Sequence, residues 1–296
     1  MAVAWLGDMS RSSEPCPLCQ STLRALPEPD KTWFSGFRGR PKLVRCQDCS
    51  VIYLSDDRPE RIHTRDEDYV RARILLTYND PPREQARLFR ARLERAARQV
   101  RGRRVLDIGC GNGAFLMISK QAGWEPLGLD ISTTPRELMA PHGIEVAVQD
   151  PVTFLERHPA SFDLIHMNHT LEHMPDAAET VLATRRALAP GGLLYVEVPN
   201  EFDNLVYRTL ELLGRKRRRG SIFGRSAAPE YPSPHVYFFN KHSLARLASR
   251  AGFTSFRVDA RRREPFQLRP SEVADTLAAL LGAGSFLTLT ASAAGP

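Results

Sequence analysis

From residue 103 onward, short apolar runs alternate with longer amphipathic segments. Five runs have the pattern of strands, RRVLDIG, WEPLGLD, IEVAVQD, FDLIHMN and LLYVEVPN, and a sixth, FTSFRVDA, follows later. The segments between the first five have helical composition and most end near Gly or Pro, which predicts helices. Strands that alternate with helices form a parallel sheet covered on both faces. We therefore expect a doubly wound α/β domain over residues 102–262.

The segments on either side of this domain have weaker patterns. Residues 55–101 combine a polar, proline-containing connector with the stretch REQARLFRARLERAARQV, which predicts a helix that packs on the domain. Residues 200–240 are an insertion before the helix KHSLARLASRAG, and we expect them to cover the substrate side. The last 21 residues carry no charge but are too rich in Gly, Ser and Thr for a membrane span. We expect a C-terminal helix and a loose tail over residues 263–296.

The overall composition is that of a soluble globular protein. Of the 296 residues 42% are apolar and 25% are charged, which excludes wholesale disorder and a fibre. The formal net charge of +7 permits an anionic partner without requiring one. Five consecutive basic residues, Arg215–Arg219, could contact anionic lipid or phosphate, or form a solvated loop. We do not expect a nucleic-acid partner, because basic and aromatic residues are not interleaved. The oligomeric state is left open.

Four of the five cysteines form two C-x-x-C pairs, C-P-L-C and C-Q-D-C. Each pair can present two thiolates from one turn, and two such turns complete a closed tetrahedral zinc site. A thioredoxin-like redox pair is the alternative, but no βαβ pattern surrounds either pair. The N-terminal residues lack the features of a secretory signal, so we expect a cytoplasmic protein, or one peripheral at the membrane. The sequence therefore predicts a structural zinc ribbon over residues 1–54, with the ligands Cys16, Cys19, Cys46 and Cys49.

The first predicted strand runs into a glycine-rich loop, VLDIGCGNGAFL. Gly109, Gly111 and Gly113 allow the backbone to turn sharply and approach a ligand, and the following helix presents unpaired N–H groups. A dinucleotide and S-adenosylmethionine (SAM) both fit this loop, and Asp130 could bind the ribose of either. Asp107 discriminates between them, because a carboxylate repels a pyrophosphate and suits the ammonium group of SAM. An Asp that only caps the loop is the alternative.

These motifs resemble those of class I SAM-dependent methyltransferases. The loop is followed in the family's order by GLD at 128–130, AVQD at 147–150, FDLIHMNHTLEHMPD and LAPGGLLYVEVPN. The resemblance implies a Rossmann-like, mostly parallel seven-stranded sheet. It also implies that Asp130 binds the ribose, Asp150 the adenine amino group and Ile131 the adenine face, with Cys110 a small buried thiol. The cofactor-binding residues implied in this way are Asp107, Gly109, Cys110, Gly111, Gly113, Asp130, Ile131, Asp150 and Asn168.

The segment NHTLEHMPD places three polar side chains just after a strand, at the sheet edge where ligands bind. His169 could act as a general base, while Glu172 and His173 either share that role or only orient the next helix. The segment resembles that of ubiquinone-biosynthesis O-methyltransferases, whose E-x-x-E-H can hold a divalent metal. Here H-x-x-E-H could hold one through His169, Glu172 and His173. His235 is a further candidate as base, substrate ligand or ordinary loop histidine.

The order of ribbon, connector and SAM domain is similar to that of bacterial sugar and natural-product methyltransferases. By that resemblance, Tyr69 and Tyr78 of the connector could fold over the cofactor, or they could simply pack. We expect methyl transfer to oxygen, less readily to carbon, of a small molecule, a sugar or a glycan or natural-product precursor. An RNA- or protein-modifying methyltransferase and a non-catalytic SAM-binding scaffold are the alternatives.

Overall fold

A computed structural model describes residues 15–25, 43–54, 71, 74–75, 83–200, 235–261, 279 and 283–293 of the chain. The helices in these ranges are α1 (Arg83–Ala97), α2 (Ala114–Gln121), α3 (Thr134–Met139), α4 (Pro151–Glu156), α5 (Ala177–Ala187) and α6 (Lys241–Arg250). Strands β1 to β3 are Leu23–Ala25, Leu43–Cys46 and Ile52–Leu54. Strands β4 to β8 are Arg104–Ile108, Glu125–Asp130, Glu145–Val148, Phe162–Asn168 and Leu188–Pro199. Strands β9 to β11 are Tyr237–Phe238, Ser255–Arg261 and Phe286–Ser292.

The larger sheet has seven strands in the order β10-β11-β8-β7-β4-β5-β6. The five strands from β8 to β6 are parallel, whereas β11 is antiparallel to both β8 and β10. Side chains alternate between the two faces, so Val105 and Leu164 contact α1 and α2, while Leu106 and Ile165 face the cluster that includes α5 and α6. The predicted Rossmann-like, mostly parallel sheet is confirmed.

The seventh strand, β11, corrects the expected C-terminal boundary. The sequence pattern predicts a domain that ends at residue 262 and a helix and loose tail over residues 263–296, but β11 lies inside the sheet between β8 and β10. Leu287, Leu289 and Ala291 alternate along β11 and are almost completely buried. β11 has a neighbouring strand on each side and is covered by the core, so it needs no charged residue. For that reason its sequence looked like an uncharged tail.

A second, smaller sheet joins the cysteine-rich segment to the large domain. Its four strands are antiparallel in the order β1-β2-β3-β9, and β9 comes from the insertion expected over residues 200–240. Leu18 and Val51 of the ribbon share one hydrophobic cluster with Val236, Phe239 and Leu244 of the large domain. The ribbon expected at 1–54 is therefore completed by a strand from outside that range.

Several predicted features lie outside the described residues. They are Tyr69, Tyr78, the basic run Arg215–Arg219 and the part of the insertion from 201 to 234. Among the described helices, none combines the length and apolar character needed to cross a bilayer.

Candidate active site

The glycine-rich loop connects β4 to α2 at the carboxyl edge of the sheet. Gly109, Gly111 and Gly113 have φ values of 70°, 51° and 73°, in the left-handed region that favours glycine. A Cβ atom at Gly109 would lie 2.2 Å from the Thr170 side chain, and one at Gly113 would lie 2.2 Å from the sulfur of Met139. At Gly111 the nearest atom would be 3.9 Å away. The first and third glycines are thus required by packing, whereas Gly111 borders space that a ligand can enter.

Asp130 connects this loop to the end of β5. Its Oδ2 accepts a hydrogen bond from the Gly111 amide at 3.0 Å, and its Oδ1 accepts one from the Ser132 amide at 3.0 Å. Burial raises the pKa of Asp130, and these backbone donors oppose that shift. The adjacent Ile131 is 49% exposed, an unusual position for a large apolar side chain. Asp150 caps α4 by accepting from the Thr153 amide and hydroxyl, both at 2.9 Å.

Asp107 is directed into the sheet face and not into the loop. Its Oδ1 lies 2.7 Å from Nδ1 of His166, on the neighbouring strand β7, and His166 Nε2 lies 3.1 Å from Nη1 of Arg92. A guanidinium can only donate, so Nε2 accepts and Nδ1 carries the proton that is donated to Asp107. Burial lowers the pKa of His166 well below its usual value, so the imidazole is neutral. Burial also raises the pKa of Asp107 well above its ordinary range, and the charge of Arg92 opposes that shift.

Arg92 also connects α1 to the ends of two strands. It donates to Asn168 Oδ1 at 2.8 Å and to Glu197 Oε2 at 2.6 Å. The same Glu197 oxygen accepts from Nε and Nη2 of Arg261 at 3.0 and 2.8 Å. Burial raises the pKa of Glu197, but the charges of Arg92 and Arg261 outweigh it and lower the pKa overall. A buried ionised carboxylate thus lies between two arginines at the site edge.

Sequence reasoning missed Arg92, His166 and Glu197. His166 could have been found, because it is a polar residue in the middle of an apolar strand, and Asp107 faces it across the ladder. The pattern gave no indication of Arg92, because it is one of many arginines in the helix predicted to pack on the domain. Its partners are 74 to 105 residues away along the chain.

His169 lies between two buried carboxylates. Its Nδ1 is 3.4 Å from Glu172 Oε1, and its Nε2 is 3.8 Å from Glu197 Oε1. The backbone φ of His169 is 55°, which is uncommon for a residue with a side chain, and its amide donates to the Glu197 carbonyl at 2.9 Å. The His169 side chain is 36% exposed, so it is accessible from solvent. This arrangement can accept a proton and stabilise the resulting imidazolium.

Glu172 is the centre of a second group. It is 1% exposed, and within the described ranges neither of its oxygens has a hydrogen bond of good geometry. His173 Nε2 and His235 Nε2 lie 3.9 and 4.0 Å from Glu172 Oε1. Burial raises the pKa of Glu172, but His169, His173 and His235 outweigh it and lower the pKa to about 2. The carboxylate is therefore ionised at neutral pH.

The ligand atoms of Glu172, His173 and His235 all lie within 4.8 Å of one another. One carboxylate and two imidazoles are a plausible donor set for a divalent cation. From the resemblance, His169 is the expected third ligand of this set. The structure instead groups His235 with Glu172 and His173, because β9 brings residue 235 next to them.

The four paired cysteines come together at the end of the ribbon. The Sγ atoms of Cys16 and Cys49 are 3.8 Å apart, and those of Cys19 and Cys46 are 3.4 Å apart. Zinc–sulfur bonds of about 2.3 Å in a tetrahedron place sulfur atoms about 3.8 Å from each other. The sulfurs are too far apart for disulfides. The observed spacing fits a single tetrahedral zinc ion.

Comparison with known proteins identifies the domain. The profile of a family described as "Methyltransferase domain" matches residues 82–257. The chain belongs to this methyltransferase family. The matched range begins just before α1 and ends within β10, so it contains the glycine loop, the His169 segment and Glu197.

Curated relatives of this methyltransferase match only part of it. The ubiquinone biosynthesis O-methyltransferase of Saccharophagus degradans is 33% identical over 108 residues, which cover 34% of this chain and 46% of that protein. The protein of the same name from Idiomarina loihiensis is 31% identical over 167 residues, covering 53% of this chain and 64% of the relative. The chain thus spans about half to two thirds of the length of these relatives.

Solved structures show the same fold at low identity. A SAM-dependent methyltransferase from Thermotoga maritima is 20% identical, with a TM-score of 0.50 over 79% of this chain and 99% of that one. Phosphoethanolamine N-methyltransferase 2 of Haemonchus contortus, solved with S-adenosylhomocysteine (SAH), is 17% identical, with a TM-score of 0.50 over 82% of this chain and 59% of that one. These likenesses support the fold alone.

Proposed function

We propose that this methyltransferase transfers the methyl group of SAM to a hydroxyl oxygen of a small molecule, with His169 as the general base. The observation that carries this proposal is the position of His169 between Glu172 and Glu197 at the carboxyl edge of the sheet. Gly109 packs against Thr170, the residue after His169, so the base and the cofactor loop are adjacent.

The cofactor side of the proposal follows from the loop. Bound SAM supplies an electrophilic methyl carbon on a sulfonium sulfur. Gly111 leaves the space for its approach, Asp130 is placed for the ribose, and the exposed Ile131 offers an apolar surface to the adenine. Asp150 and Asn168 complete the proposed contacts. Asp107 would support the loop by fixing the end of β4 through His166, and Cys110 is a buried thiol of the loop itself.

The chain's own residues would align the acceptor and remove its proton. The acceptor oxygen forms a bond to the methyl carbon while the carbon–sulfur bond breaks and its electron pair stays on sulfur. The hydroxyl proton passes to a ring nitrogen of His169 and then to solvent. Glu172 and Glu197 stabilise the imidazolium that forms, because both are buried and ionised. Alignment of the acceptor is the larger contribution, since transfer from a sulfonium is already favourable.

We also propose two metal-binding sites. Cys16, Cys19, Cys46 and Cys49 would hold a structural zinc ion, as their sulfur spacing supports. Glu172, His173 and His235 would hold a divalent cation, and the unsatisfied buried oxygens of Glu172 support this. Such a cation would polarise an acceptor oxygen and favour its deprotonation.

The proposed acceptor class follows from the relatives and from the ribbon. The printed names of the relatives describe O-methyltransferases of ubiquinone biosynthesis, which favours oxygen in a small molecule. The ribbon favours a sugar or glycan-type precursor, with Arg215–Arg219 available for anionic lipid or for the phosphate of such a precursor. Methyl transfer to carbon is the less favoured variant.

A transfer assay tests the proposal. The protein is incubated with methyl-labelled SAM and separate pools of dihydroxyphenols, nucleotide-sugars and carbon acids, and labelled products are analysed. We expect label on oxygen, and His169→Ala should slow transfer by about 100-fold or more while SAH affinity stays within a few-fold. His242→Ala, an exposed histidine on α6, is the control. Wild-type rates in His169→Ala, or label only on carbon or nitrogen, would contradict the proposal.

A further inference from the structure

The short strand β9 connects the zinc ribbon to the candidate active site. β9 contains two residues, Tyr237 and Phe238, and it begins two residues after His235. Within the described chain its ladder partner is β3, with Tyr53 opposite Tyr237 and Ile52 opposite Phe238. The backbone next to His235 is thus held in place by the ribbon.

Polar contacts reinforce this pairing from both sides. Asn240, which follows β9, donates to the Ser50 carbonyl at 2.8 Å, and Ser50 directly follows Cys49. Arg250 donates to the Leu18 carbonyl at 3.0 Å, and Arg246 pairs with Asp48. Both Leu18 and Asp48 lie inside the C-x-x-C turns. The contacts therefore reach the metal-binding turns themselves.

The other end of this connection is the Glu172 group. The Val236 amide donates to the Glu172 carbonyl at 2.8 Å, and the Tyr237 hydroxyl donates to the Pro175 carbonyl at 2.9 Å. The His235 side chain is 12% exposed, and its Nε2 is 4.0 Å from Glu172 Oε1. The position of His235 beside Glu172 depends on β9 staying where it is.

The ribbon itself depends on metal. Strands β1, β2 and β3 contain only three, four and three residues, too few to form a stable sheet without further support. Four thiol groups packed as closely as these require a cation to be ionised together, and small zinc modules take their folding energy from the metal. Loss of zinc is therefore expected to disorder β3.

We infer that β3 is a positioning element of the active site: zinc at the four cysteines orders β3, β3 holds β9, and β9 holds His235 beside Glu172. This inference rests on the proposed zinc site and on the proposed role of His235. It makes the ribbon part of the catalytic unit.

Hydrogen–deuterium exchange on the full-length chain tests this inference. Cys46→Ser removes one zinc ligand, and Gln47→Ala, an exposed residue of the same turn, is the matched control. Zinc content and SAH affinity are measured on the same samples. In Cys46→Ser we expect zinc to be lost and the peptide 235–240 to exchange at least about tenfold faster. The peptide containing the glycine loop and the SAH affinity should change little.

Chelation provides an independent route if Cys46→Ser does not fold. Removing zinc from the wild-type chain should accelerate exchange of the same peptide, and zinc, but not magnesium, should restore it. Unchanged exchange of 235–240 in zinc-free protein would overturn the inference. Failure of the zinc-loaded protein to bind SAH would instead count against the proposed function, so the two failures can be distinguished.

Discussion

The carboxylate of Glu197 receives hydrogen bonds from Arg92 of α1 and Arg261 of β10. Replacing one partner of a buried ion pair leaves the other charge unpaired, at a cost of about 3 kcal/mol. The folded-state pKa of Glu197 lies below its ordinary 4.5, so its stabilising contribution is present above 4.5 and is lost as pH falls through the folded pKa. Glu197→Gln should therefore lower the free energy of unfolding at pH 7, by a difference that shrinks below pH 4.5.

Urea denaturation of both proteins between pH 7 and 3.5 measures this difference. Asp259→Asn is the control, because the Arg257–Asp259 pair is largely exposed, and it should change stability by less than about 0.5 kcal/mol. If Glu197→Gln leaves the free energy of unfolding unchanged at pH 7, or lowers it equally from pH 7 to 3.5, the ionised Glu197 carboxylate does not stabilise the fold through Arg92 and Arg261.

A comparison of Gly111 with Gly123 separates the effect of an alanine substitution on stability from its effect on ligand binding. Gly111 and Gly123 both have positive φ and open space where a Cβ atom would lie, but only Gly111 is in the cofactor loop. Alanine at either position should cost about 1–2 kcal/mol of stability, because a residue with a Cβ atom is strained in the left-handed region. Only Gly111→Ala should also weaken SAH binding, by about tenfold or more, in calorimetry. Equal SAH affinity in the two variants would remove Gly111 from the cofactor site.

The residues that the sequence could bring together are those for which one motif gives both spacing and position. The glycines, Asp130 and the four cysteines lie in short local patterns, and the structure brings each pattern together. Arg92 and Glu197 are 105 residues apart and meet only through the fold. His235 was named from the sequence, but its place beside Glu172 depends on the pairing of β9 with β3.

At the scale of elements, the alternation of strands and helices predicted β4 to β8 because each is an apolar run between helix signals. β11 and β9 were missed for physical reasons. β11 does alternate apolar and polar residues, but its Thr, Ser and Ala content and its lack of charge resembled a tail. β9 has only two residues, whose partner is nearly 200 residues away. Local patterns do not encode such pairings.

The buried strand β11 gives the element-scale prediction. Leu289 is 0% exposed in the middle of the sheet, so Leu289→Ala should destabilise the protein by about 2–4 kcal/mol. Thr290→Ala, at the neighbouring half-buried position of the same strand, should have a much smaller effect. Thermal or urea denaturation measures both. Equal, negligible effects would restore the expectation of a loose tail.

At the scale of the whole molecule, the ribbon joins the large domain through the pairing of β3 with β9. The glycine loop, the His169 segment and Glu197 meet at the carboxyl edge of the sheet, and we infer that the ribbon contributes to the placement of His235. The ribbon and the large domain share a hydrophobic cluster, so loss of structure in the ribbon is expected to loosen the side of the large domain that it covers. Which cofactor the glycine loop binds is therefore the first property to measure.

Isothermal titration calorimetry with SAM, SAH and NADH tests the central claim most directly, because the glycine loop by itself fits both kinds of cofactor. We expect SAM and SAH each to bind at one site per chain and NADH to show no binding, because the loop belongs to a domain of the methyltransferase family. Binding of NADH without binding of SAM or SAH would contradict the account.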